Sequence, residues 1–525
     1  MTKRSLSIVG VVAIGALTLA GCSASGDADS TGGDYASDAT FTMAVKSDAG
    51  ALDPQMGAGS VLNQLTQFAY DSLVSVDGAD GSIKSQLATE WTVAPTELTF
   101  TLADSITCAD GSAFTAETAV RNIEFVTDPA NESPLRNVFV PAGATATADG
   151  NVLSVSLESP SAFAINGFGA LPMVCDAGMD DRAMLATGTA GSGPYVLTNA
   201  VPNDQYTYEI REGYTWGPDG ATTADEGVPT TLNVRVIENE TTAANLLLSG
   251  DINAGAIVGS DAQRLDGADL YTAQTEEIIG QQWYNQGEGR VTSDPAVRMA
   301  LTQAADYEEL VKVVGAGNGA PPTSFAALTP AACQGEAVVS SMPAFDSETA
   351  ADLLDAAGWT MGSGGVREKD GEPLAIKFVY NAAMGSGGTA GAELIVPQWE
   401  AIGAQVELEM LESTALQANI FGQGDWDVVW ISLNVNTPDQ IIGFLSGDAS
   451  TNFAKIDNDD YNAAVAKASE LPGAEGCDAW LEGESALVEA ADAFPFANTS
   501  VKTFGNGAEF SVGGDLEPLT IRMLG

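Results

Sequence analysis

Histidine is absent from this 525-residue sequence and basic residues are scarce: 20 Lys and Arg stand against 71 Asp and Glu, a formal net charge of −51. Without histidine the chain has no imidazole general base, no Ser-His-Asp triad and no histidine-ligated zinc. The excess of acid repels phosphate backbones, which excludes charge-driven nucleic-acid binding. The 45% hydrophobic content is typical of a globular chain. Because one core stops growing at about 250–300 residues, we expect two or more lobes.

The sequence also lacks an apolar run long enough to span a bilayer, which needs about 20 residues. Residues 8–19 form a shorter run behind Lys3 and Arg4, so residues 1–21 are predicted to be a signal peptide. Residues 19–22, Leu-Ala-Gly-Cys, resemble the bacterial lipobox, in which Cys22 becomes the lipid-bearing first residue. The alternative is an ordinary secretory cleavage site with an incidental cysteine. Residues 22–40 are rich in Ser, Gly, Asp and Ala and are predicted to be a flexible tether. We therefore expect an extracytoplasmic lipoprotein anchored to the outer face of the cell membrane.

Cysteine is rare, with five in the whole chain. Beyond Cys22 four remain, and outside the cytoplasm they are expected to form disulfides. Four cysteines allow three pairings. We favour Cys108–Cys175 and Cys333–Cys477, since each pair then stays within one region of the chain.

Strand and helix patterns alternate along the chain. Period-two apolar runs predict strands, which lie at residues 98–102, 153–157, 206–210, 232–236 and 406–410. Capping residues before apolar faces predict helices, which begin after Asp294, Asp306 and Asp346. Residues 428–431 read as a strand buried on both faces. Mixed strands and helices over this length indicate an α/β architecture with more than one lobe.

Motifs typical of enzymes are weak or missing. Residues 315–320 imitate a GxGxxA dinucleotide loop, but they follow a helical pattern and open onto Pro321-Pro322 instead of a helix, so we predict a loop. Residues 457–460 begin like a calcium loop but lack its glycine and terminal glutamate. The chain is therefore expected to be no enzyme and to hold no cofactor and no metal.

A series of short motifs runs through nearly the whole chain. In order they are Leu52-Asp53-Pro54, Tyr70-Asp71-Ser72-Leu73-Val74, Leu87-Ala88-Thr89-Glu90-Trp91, Asp110-Gly111-Ser112-Ala113-Phe114-Thr115-Ala116-Glu117, Gly191-Ser192-Gly193-Pro194-Tyr195, Leu248-Ser249-Gly250-Asp251-Ile252, residues 294–306 and residues 350–359. They resemble conserved segments of the extracellular solute-binding proteins of family 5, the peptide, nickel and oligopeptide class of ABC-importer receptors. Cys108 departs from the pattern, since many relatives carry histidine there. Each match is modest, and their shared order makes the resemblance specific.

The resemblance implies a fold and a mechanism. The fold is α/β and two-lobed, of the periplasmic-binding-protein type, class II, with an extra subdomain in lobe 1. It implies lobe 1 at residues 41–281 with the subdomain at about 83–189, lobe 2 at 282–494, and a C-terminal return to lobe 1 at 495–525. Crossings between the lobes are expected near residues 277–287 and near Phe494. A solute would bind between the lobes of a monomer, and closure would present a surface to ABC permease subunits.

The resemblance also implies which residues line the cleft. The first group is the backbone that follows the LDP motif, at Ala58, Gly59 and Ser60. The second is the strand and loop from Trp430 to Asp439. Trp430 matches an aromatic residue that often faces the cleft, and a core tryptophan is the alternative.

One departure concerns the ligand. Many peptide-binding relatives place an aspartate shortly after that aromatic residue, where it pairs with the α-amino group of the peptide. This chain has Leu433 near that place, and a buried ammonium without a partner is costly. Asp439 replaces the missing aspartate if the loop shifts. Asn434 and Asn436, in contrast, suit a neutral polar solute such as a sugar.

Two classes of function follow from these patterns. The first is a lipid-anchored receptor that delivers a peptide or similar polar solute, or an oligosaccharide, to an ABC permease. The second is a surface sensor, chaperone or adhesion protein that keeps the fold without transport.

Overall fold

The computed structural model describes residues 35–525 except 58, 79–80, 142 and 448–450. It gives the backbone but not the side chains of residues 259, 260, 413, 414 and 423. The predicted signal peptide, Cys22 and Ala58 lie outside the described residues, as does the tether up to residue 34.

Strands make up much of the described chain. In chain order they are β1 (Thr40–Val45), β2 (Val74–Val76), β3 (Ile83–Ser85), β4 (Ala88–Ala94), β5 (Glu97–Leu102), β6 (Thr145–Asp149), β7 (Val152–Ser156), β8 (Tyr195–Val201), β9 (Gln205–Ile210), β10 (Thr231–Val236), β11 (Ala254–Ile257), β12 (Tyr271–Tyr284), β13 (Thr360–Met361), β14 (Arg367–Lys369), β15 (Glu372–Pro373), β16 (Ala375–Asn381), β17 (Gln405–Leu411), β18 (Val428–Trp430), β19 (Ala493–Gly505), β20 (Ala508–Glu509), β21 (Val512–Gly513), β22 (Asp515–Leu516) and β23 (Arg522–Met523).

Helices alternate with these strands. They are α1 (Ser60–Ala69), α2 (Ala116–Thr127), α3 (Ala164–Ala170), α4 (Asp176–Asp180), α5 (Glu240–Ser249), α6 (Gly259–Leu265), α7 (Pro295–Gln303), α8 (Tyr307–Val314), α9 (Ala337–Ser341), α10 (Ser347–Ala356), α11 (Gly385–Ala401), α12 (Ser413–Ala418), α13 (Ile442–Leu445), α14 (Asp459–Ser469) and α15 (Cys477–Glu489). The predicted caps are in place: Asp294, Asp306 and Asp346 each accept a backbone N–H in the first turn of α7, α8 and α10.

A ten-stranded mixed sheet passes through both lobes, in the order β17-β16-β18-β12-β19-β11-β1-β10-β9-β8. Its central pair, β12 and β19, is antiparallel from Tyr271 opposite Gly505 to Trp283 opposite Ala493. One end of β19 also pairs with β11 of lobe 1, and the other end of β12 pairs with β18 of lobe 2. These two strands therefore join the lobe 1 part of the sheet to the lobe 2 part.

The β12–β19 pair is irregular in the middle, where the register shifts between Ile278 and Gln281. Gly280 lies against the ring of Phe496, and a Cβ there would come within 2.5 Å of a ring carbon. Asn434 fixes the same point from lobe 2, because its Oδ1 accepts the N–H of Ile278 at 2.7 Å and its Nδ2 donates to the Ile278 carbonyl at 3.0 Å. The connection thus has a defined bend that larger residues at 280 would disturb.

Three main hydrophobic cores lie along the molecule. The core of lobe 2 uses residues between 283 and 497 and contains the buried indoles of Trp283, Trp399, Trp426 and Trp430. A second core, between residues 73 and 175, belongs to the subdomain that carries the four-stranded sheet β4-β5-β7-β6. The third, that of lobe 1, joins residues 41–254 to residues 508–523. The third core therefore brings together segments from both ends of the described chain.

Both disulfides have the pairing that the sequence favoured. Cys108 bonds to Cys175 in the subdomain, and Cys333 bonds to Cys477 in lobe 2. Neither bond joins one lobe to the other, so lobe movement does not require either to break.

Lobe 2 contains a buried ion pair. Arg298 Nη2 lies 3.0 Å from Asp492 Oδ1, and the two side chains are 7% and 3% exposed. Asp492 also accepts hydrogen bonds from Gln286 and Asn458, both at 2.8 Å. Burial raises the pKa of Asp492 and these partners oppose the shift. Such satisfied pairs become costly once one partner is lost.

Glu484 of α15 is buried as well, at 4% exposure, and accepts the N–H of Phe325 at 3.2 Å. Among the described residues no Lys or Arg lies within 4.0 Å of its carboxyl group. Burial raises the pKa of Glu484 to about 8, so the neutral acid is favoured at neutral pH.

Candidate functional site

A cavity of about 430 Å³ lies where the lobes meet. Residues of lobe 1 and its subdomain form most of its wall, and residues 328–330 and 436–440 supply the part from lobe 2. A second cavity of about 530 Å³ is lined by residues 305–345 with Pro495 and Phe496. None of the described residues that line it precedes Ala305, and Phe496 belongs to the lobe 2 core, so this cavity does not have walls from both lobes. The first cavity is therefore the candidate solute site.

Helix α1 forms one side of the wall. Asn63, Thr66 and Gln67 line the cavity, while Gln64 is buried and turned to the C-terminal hairpin of β21 and β22. Gln64 Oε1 accepts the N–H of Leu516 at 2.7 Å and its Nε2 donates to the Leu516 carbonyl at 3.0 Å. This double hydrogen bond fixes the hairpin on α1, and the hairpin adds residues 513–515 to the wall.

Asp71 lies at the base of the cavity inside a network of donors. It accepts hydrogen bonds from Tyr214 Oη at 2.7 Å, Ser192 Oγ at 2.8 Å, Trp216 Nε1 at 2.9 Å and Gln86 Nε2 at 3.0 Å. Burial raises the pKa of Asp71, and the hydrogen bonds counteract that rise. With both oxygens occupied, Asp71 is a structural acid that holds the base of the site together.

The turn that contains Ser192 depends on glycine. A Cβ on Gly191 would lie 2.1 Å from the carbonyl oxygen of Ala69, and one on Gly193 would lie 2.4 Å from its carbonyl carbon. Because both positions are glycine, the turn can pack directly against the backbone at the end of α1, and this contact holds Ser192 beneath the cavity.

The part of the wall from lobe 2 is polar and neutral. Asn436, Thr437 and Gln440 line the cavity beside Leu328, Thr329 and Pro330. Asn436 Nδ2 donates to the carbonyl of Leu328 at 3.0 Å, which ties the two segments together. Amide and hydroxyl groups of this kind bind polar solutes by hydrogen bonds.

The charged groups of the cavity come from lobe 1. Lys84 is the one basic residue among the described residues that line it, and its Nζ contacts Asp77 and lies 3.8 Å from Asp219. Hydrogen bonding to Asp77 raises the pKa of Lys84. Asp515 and Glu517 of the C-terminal segment add two further acids. The cavity is therefore acidic on its lobe 1 side.

The lobes also touch outside the strands that join them. The N–H of Gly473 in lobe 2 donates to the carbonyl of Ala162 in the subdomain at 2.8 Å. Beside this bond the rings of Phe163 and Trp480 lie 6.2 Å apart, both almost fully buried in a cluster that includes Cys333. The structure thus has the lobes in direct contact.

The first group of residues expected in the cleft lies beside the cavity. Gly59 is the N-cap of α1 and Ser60 its first residue; both are exposed, and neither is among the residues that line the cavity. One turn further along the helix, Asn63 takes the place in the wall. Ala58 is not among the described residues.

The second group is divided. Asn436 lines the cavity, whereas Asn434 holds the bend at Ile278. Trp430 is fully buried, with its ring 4.7 Å from that of Phe496, and exposes no surface to a solute in this conformation. The alternative of a core tryptophan, left open by the sequence, fits this position.

Asp439 lies in a short 3-10 helix (Pro438–Ile441) and accepts a hydrogen bond from Thr437 Oγ1. Burial raises the pKa of Asp439, and its side chain is outside the cavity wall, which Thr437 and Gln440 form on either side. Its role as a substitute for the amino-group-pairing aspartate stays a prediction that depends on a shift of this loop.

Two absences concern the described part of the chain alone. Between residues 35 and 525, gaps excepted, no helix is both long and apolar enough to cross a membrane. The same residues contain no cluster of three or more Cys, Asp or Glu side chains placed to hold a metal ion.

Comparisons with known proteins agree with this geometry. The model of bacterial extracellular solute-binding proteins, family 5 Middle, matches residues 82–454. Protein XP55 of Streptomyces lividans is 26% identical over 490 residues, which cover 88% of this chain and 84% of that protein. The periplasmic murein peptide-binding protein MppA of Escherichia coli (strain K12) is 25% identical over 468 residues, 81% of each chain. The ABC transporter substrate-binding protein CtaP from Listeria monocytogenes has a TM-score of 0.77 at 18% identity, over 93% of this chain and 100% of that chain.

Proposed function

The chain belongs to the bacterial extracellular solute-binding proteins of family 5, and from that premise we propose that it captures a peptide or similar small polar solute between its lobes and delivers it to the permease of an ABC importer. MppA is named for binding a murein peptide and CtaP for an ABC transporter, which supports both parts of the proposal. No catalytic step is part of it.

The observation that carries the proposal is the cavity of about 430 Å³ with walls from both lobes. Its volume falls in the range of roughly 300–1,000 Å³ typical of sites for small molecules. Because lobe 2 contributes Asn436, Thr437 and Gln440, a solute gains these contacts only when the lobes are together. Binding then shifts the population of the receptor to the closed arrangement.

The hinge in this proposal is the β12–β19 pair at its irregular point near Gly280. Lobe 1 comprises residues 41–281 with the subdomain at about 83–189, lobe 2 comprises 282–494, and residues 495–525 return to lobe 1. The separate hydrophobic cores support this division, since the lobe 2 core uses residues between 283 and 497 and that of lobe 1 includes 508–523.

We also propose that residues 1–21 are removed and that Cys22 carries a lipid which anchors the receptor to the outer face of the membrane through the tether at 22–40. Replacing Cys22 by serine is expected to move the mature protein from the membrane fraction to the soluble extracytoplasmic fraction. Retention of the Cys22→Ser variant at the membrane would refute the lipid anchor.

Filling the cavity tests the solute site. Asn63 lines the cavity on α1, so Asn63→Trp is expected to block binding of the solute. Asn245 is exposed on α5 and outside the cavity, which makes Asn245→Trp the matched control. Co-purified solute is measured by native mass spectrometry, and closure by the radius of gyration in small-angle X-ray scattering.

The expected result is solute and compaction in the wild type and in Asn245→Trp, and neither in Asn63→Trp at unchanged thermal stability. A wild-type protein that carries no solute, and neither compacts nor gains stability with any member of a broad peptide and sugar screen, would rule the proposal out.

A further inference from the structure

Asp515 has a fixed place in the wall of the cavity. It begins β22, directly after Gly514, whose φ of +93° makes the turn of the hairpin. Gln64 binds both the N–H and the carbonyl of the next residue, Leu516. The hairpin also approaches lobe 2, since a Cβ on Gly514 would lie 3.3 Å from the carbonyl oxygen of Thr329. The carboxylate of Asp515 therefore lies close to the interface between the lobes.

This carboxylate has little to balance its charge. The side chain of Asp515 accepts a long hydrogen bond from Gln67 Nε2, at 3.5 Å. Within the described residues no Lys or Arg nitrogen lies within 4.0 Å of it, and the basic residue of the wall, Lys84, is engaged by Asp77. A half-buried carboxylate without a cation is costly unless something else provides one.

The opposite wall of the cavity, from lobe 2, does not provide a cation for Asp515. The residues that lobe 2 brings to the cavity are Asn436, Thr437 and Gln440 together with the apolar and backbone surface of 328–330. None of these side chains carries charge. When the lobes close, the cavity thus keeps the acidic character that lobe 1 gives it.

We infer that the solute carries a positively charged group, such as a primary ammonium, and that Asp515 of lobe 1 receives it. The inference rests on the proposed function, because it assigns a ligand class to the same cavity. An ammonium in contact with Asp515 makes a charge-assisted hydrogen bond and offsets the burial of the carboxylate. The neutral amides of lobe 2 then bind the uncharged part of the solute. In this arrangement the C-terminal hairpin, and not the segment after Trp430, binds the positively charged group of the solute.

The titration of Asp515 agrees with this role. Burial raises the pKa of Asp515 to about 7, so a bound cation stabilises the ionised form. The other titratable groups of the wall are Asp71, Asp77, Lys84 and Glu517. Burial also raises the pKa of Asp71 and Glu517, while Asp77 and Lys84 hold each other. Affinity for a cation is therefore expected to fall by about tenfold from pH 7.0 to pH 5.5, as Asp515 is protonated.

The experiment uses tripeptides as probes. A pool with free N-termini and the same pool N-acetylated are screened against the purified protein by native mass spectrometry, and the best-bound peptide is then titrated in both forms. Asp515→Asn is the test variant. Glu509→Gln, on the same C-terminal segment but outside the cavity wall, is the control.

The expected result is that the free-amine peptide binds about 10- to 100-fold more tightly than its acetylated form, and that Asp515→Asn loses this preference together with its pH dependence. Glu509→Gln keeps both. Equal binding of the two forms, or an unchanged preference in Asp515→Asn, would overturn the inference and leave the proposed function standing.

If neither pool binds, the solute that co-purifies with the protein decides. A solute without positive charge overturns the inference alone. Absence of any solute, with no closure in the wider screen, overturns the proposed function and the inference with it.

Discussion

Replacing Phe163 by leucine tests whether the contact between the subdomain and lobe 2 stabilises the closed arrangement. The Phe163 ring lies 6.2 Å from that of Trp480, at the point where the two lobes meet. Leucine keeps most of the apolar contact and removes the aromatic pair, which is worth about 0.5–1.5 kcal/mol beyond its buried area. If the contact exists only when the lobes are together, the ratio of closed to open receptor falls by about 2- to 13-fold.

The assay has two readouts. Small-angle X-ray scattering measures the radius of gyration with increasing solute, and calorimetry measures the apparent affinity, which falls with the population of the closed form. Phe168→Leu is the matched control, because Phe168 pairs with Phe100 inside the subdomain at 5.8 Å. It is expected to lower thermal stability without a change in the closed fraction.

The reasoning fails if Phe163→Leu closes at the same solute concentration as the wild type. It fails equally if Phe168→Leu changes closure as much as Phe163→Leu does, since the effect would then come from a weakened subdomain and not from the contact between lobes.

Three further predictions concern stability, each measured by chemical denaturation. Asp492→Asn leaves its arginine partner buried without a counter-charge and is expected to lower the free energy of unfolding by about 3–5 kcal/mol. The control is Glu482→Gln, in an ion pair with both side chains more than 60% exposed, which is expected to change that free energy by less than about 0.5 kcal/mol. Similar losses in the two variants would contradict the role of burial. Glu484 keeps its proton to about pH 8 in the folded protein but only to about pH 4.3 when unfolded, so stability falls as pH rises between these values. Glu484→Gln should remove about 1.4 kcal/mol per pH unit of that slope, and an unchanged slope would disprove the assignment. Replacing Cys333 and Cys477 by serine opens a loop of 144 residues and is expected to cost about 2–5 kcal/mol. Reducing agent also opens Cys108–Cys175, so it should lower the stability of the wild type by more than this loss and that of the variant by the share of the second bond alone; an unreduced variant as stable as the wild type would contradict the prediction.

Local features of the fold were predictable because their causes are local. The acids before α7, α8 and α10 cap those helices as expected, since a cap needs only a side-chain acceptor within three residues of a free N–H. The period-two run that became β5 buries its alternate residues Leu98, Phe100 and Leu102. The order of motifs identified the family without any of these details.

The sequence predicted which segments of the chain lie at the candidate site, but not which of their residues line the cavity. Motifs located the start of α1, but Ser60 is exposed there while Asn63 lines the cavity, because burial of Gln64 against the C-terminal hairpin sets the rotation of the helix. Trp430 had two interpretations because an indole serves a core or a cleft equally well. Here Gln282 accepts its N–H at 2.9 Å, which satisfies the polar end of the ring inside the core.

Asp515 could not be found from the sequence at all. Its position depends on contacts between residues 452 apart, such as that of Gln64 with Leu516. No local sequence pattern predicts a contact between residues so far apart. Among 71 acidic residues, nothing in the sequence distinguishes this carboxylate from the others.

The return of the chain to lobe 1 has a consequence for the order of folding. The lobe 2 core uses one contiguous stretch, residues 283–497, whereas the lobe 1 core joins Phe41 to Phe510 and Ile521. A chain that emerges N-terminus first therefore exposes unfinished lobe 1 surface while lobe 2 is still being completed, and loop closure over such a distance is slow. Although it comes second in the sequence, the lobe 2 core can therefore be completed before the lobe 1 core, which needs residues up to Met523. The solute cleft, whose wall includes residues 513–515, forms last.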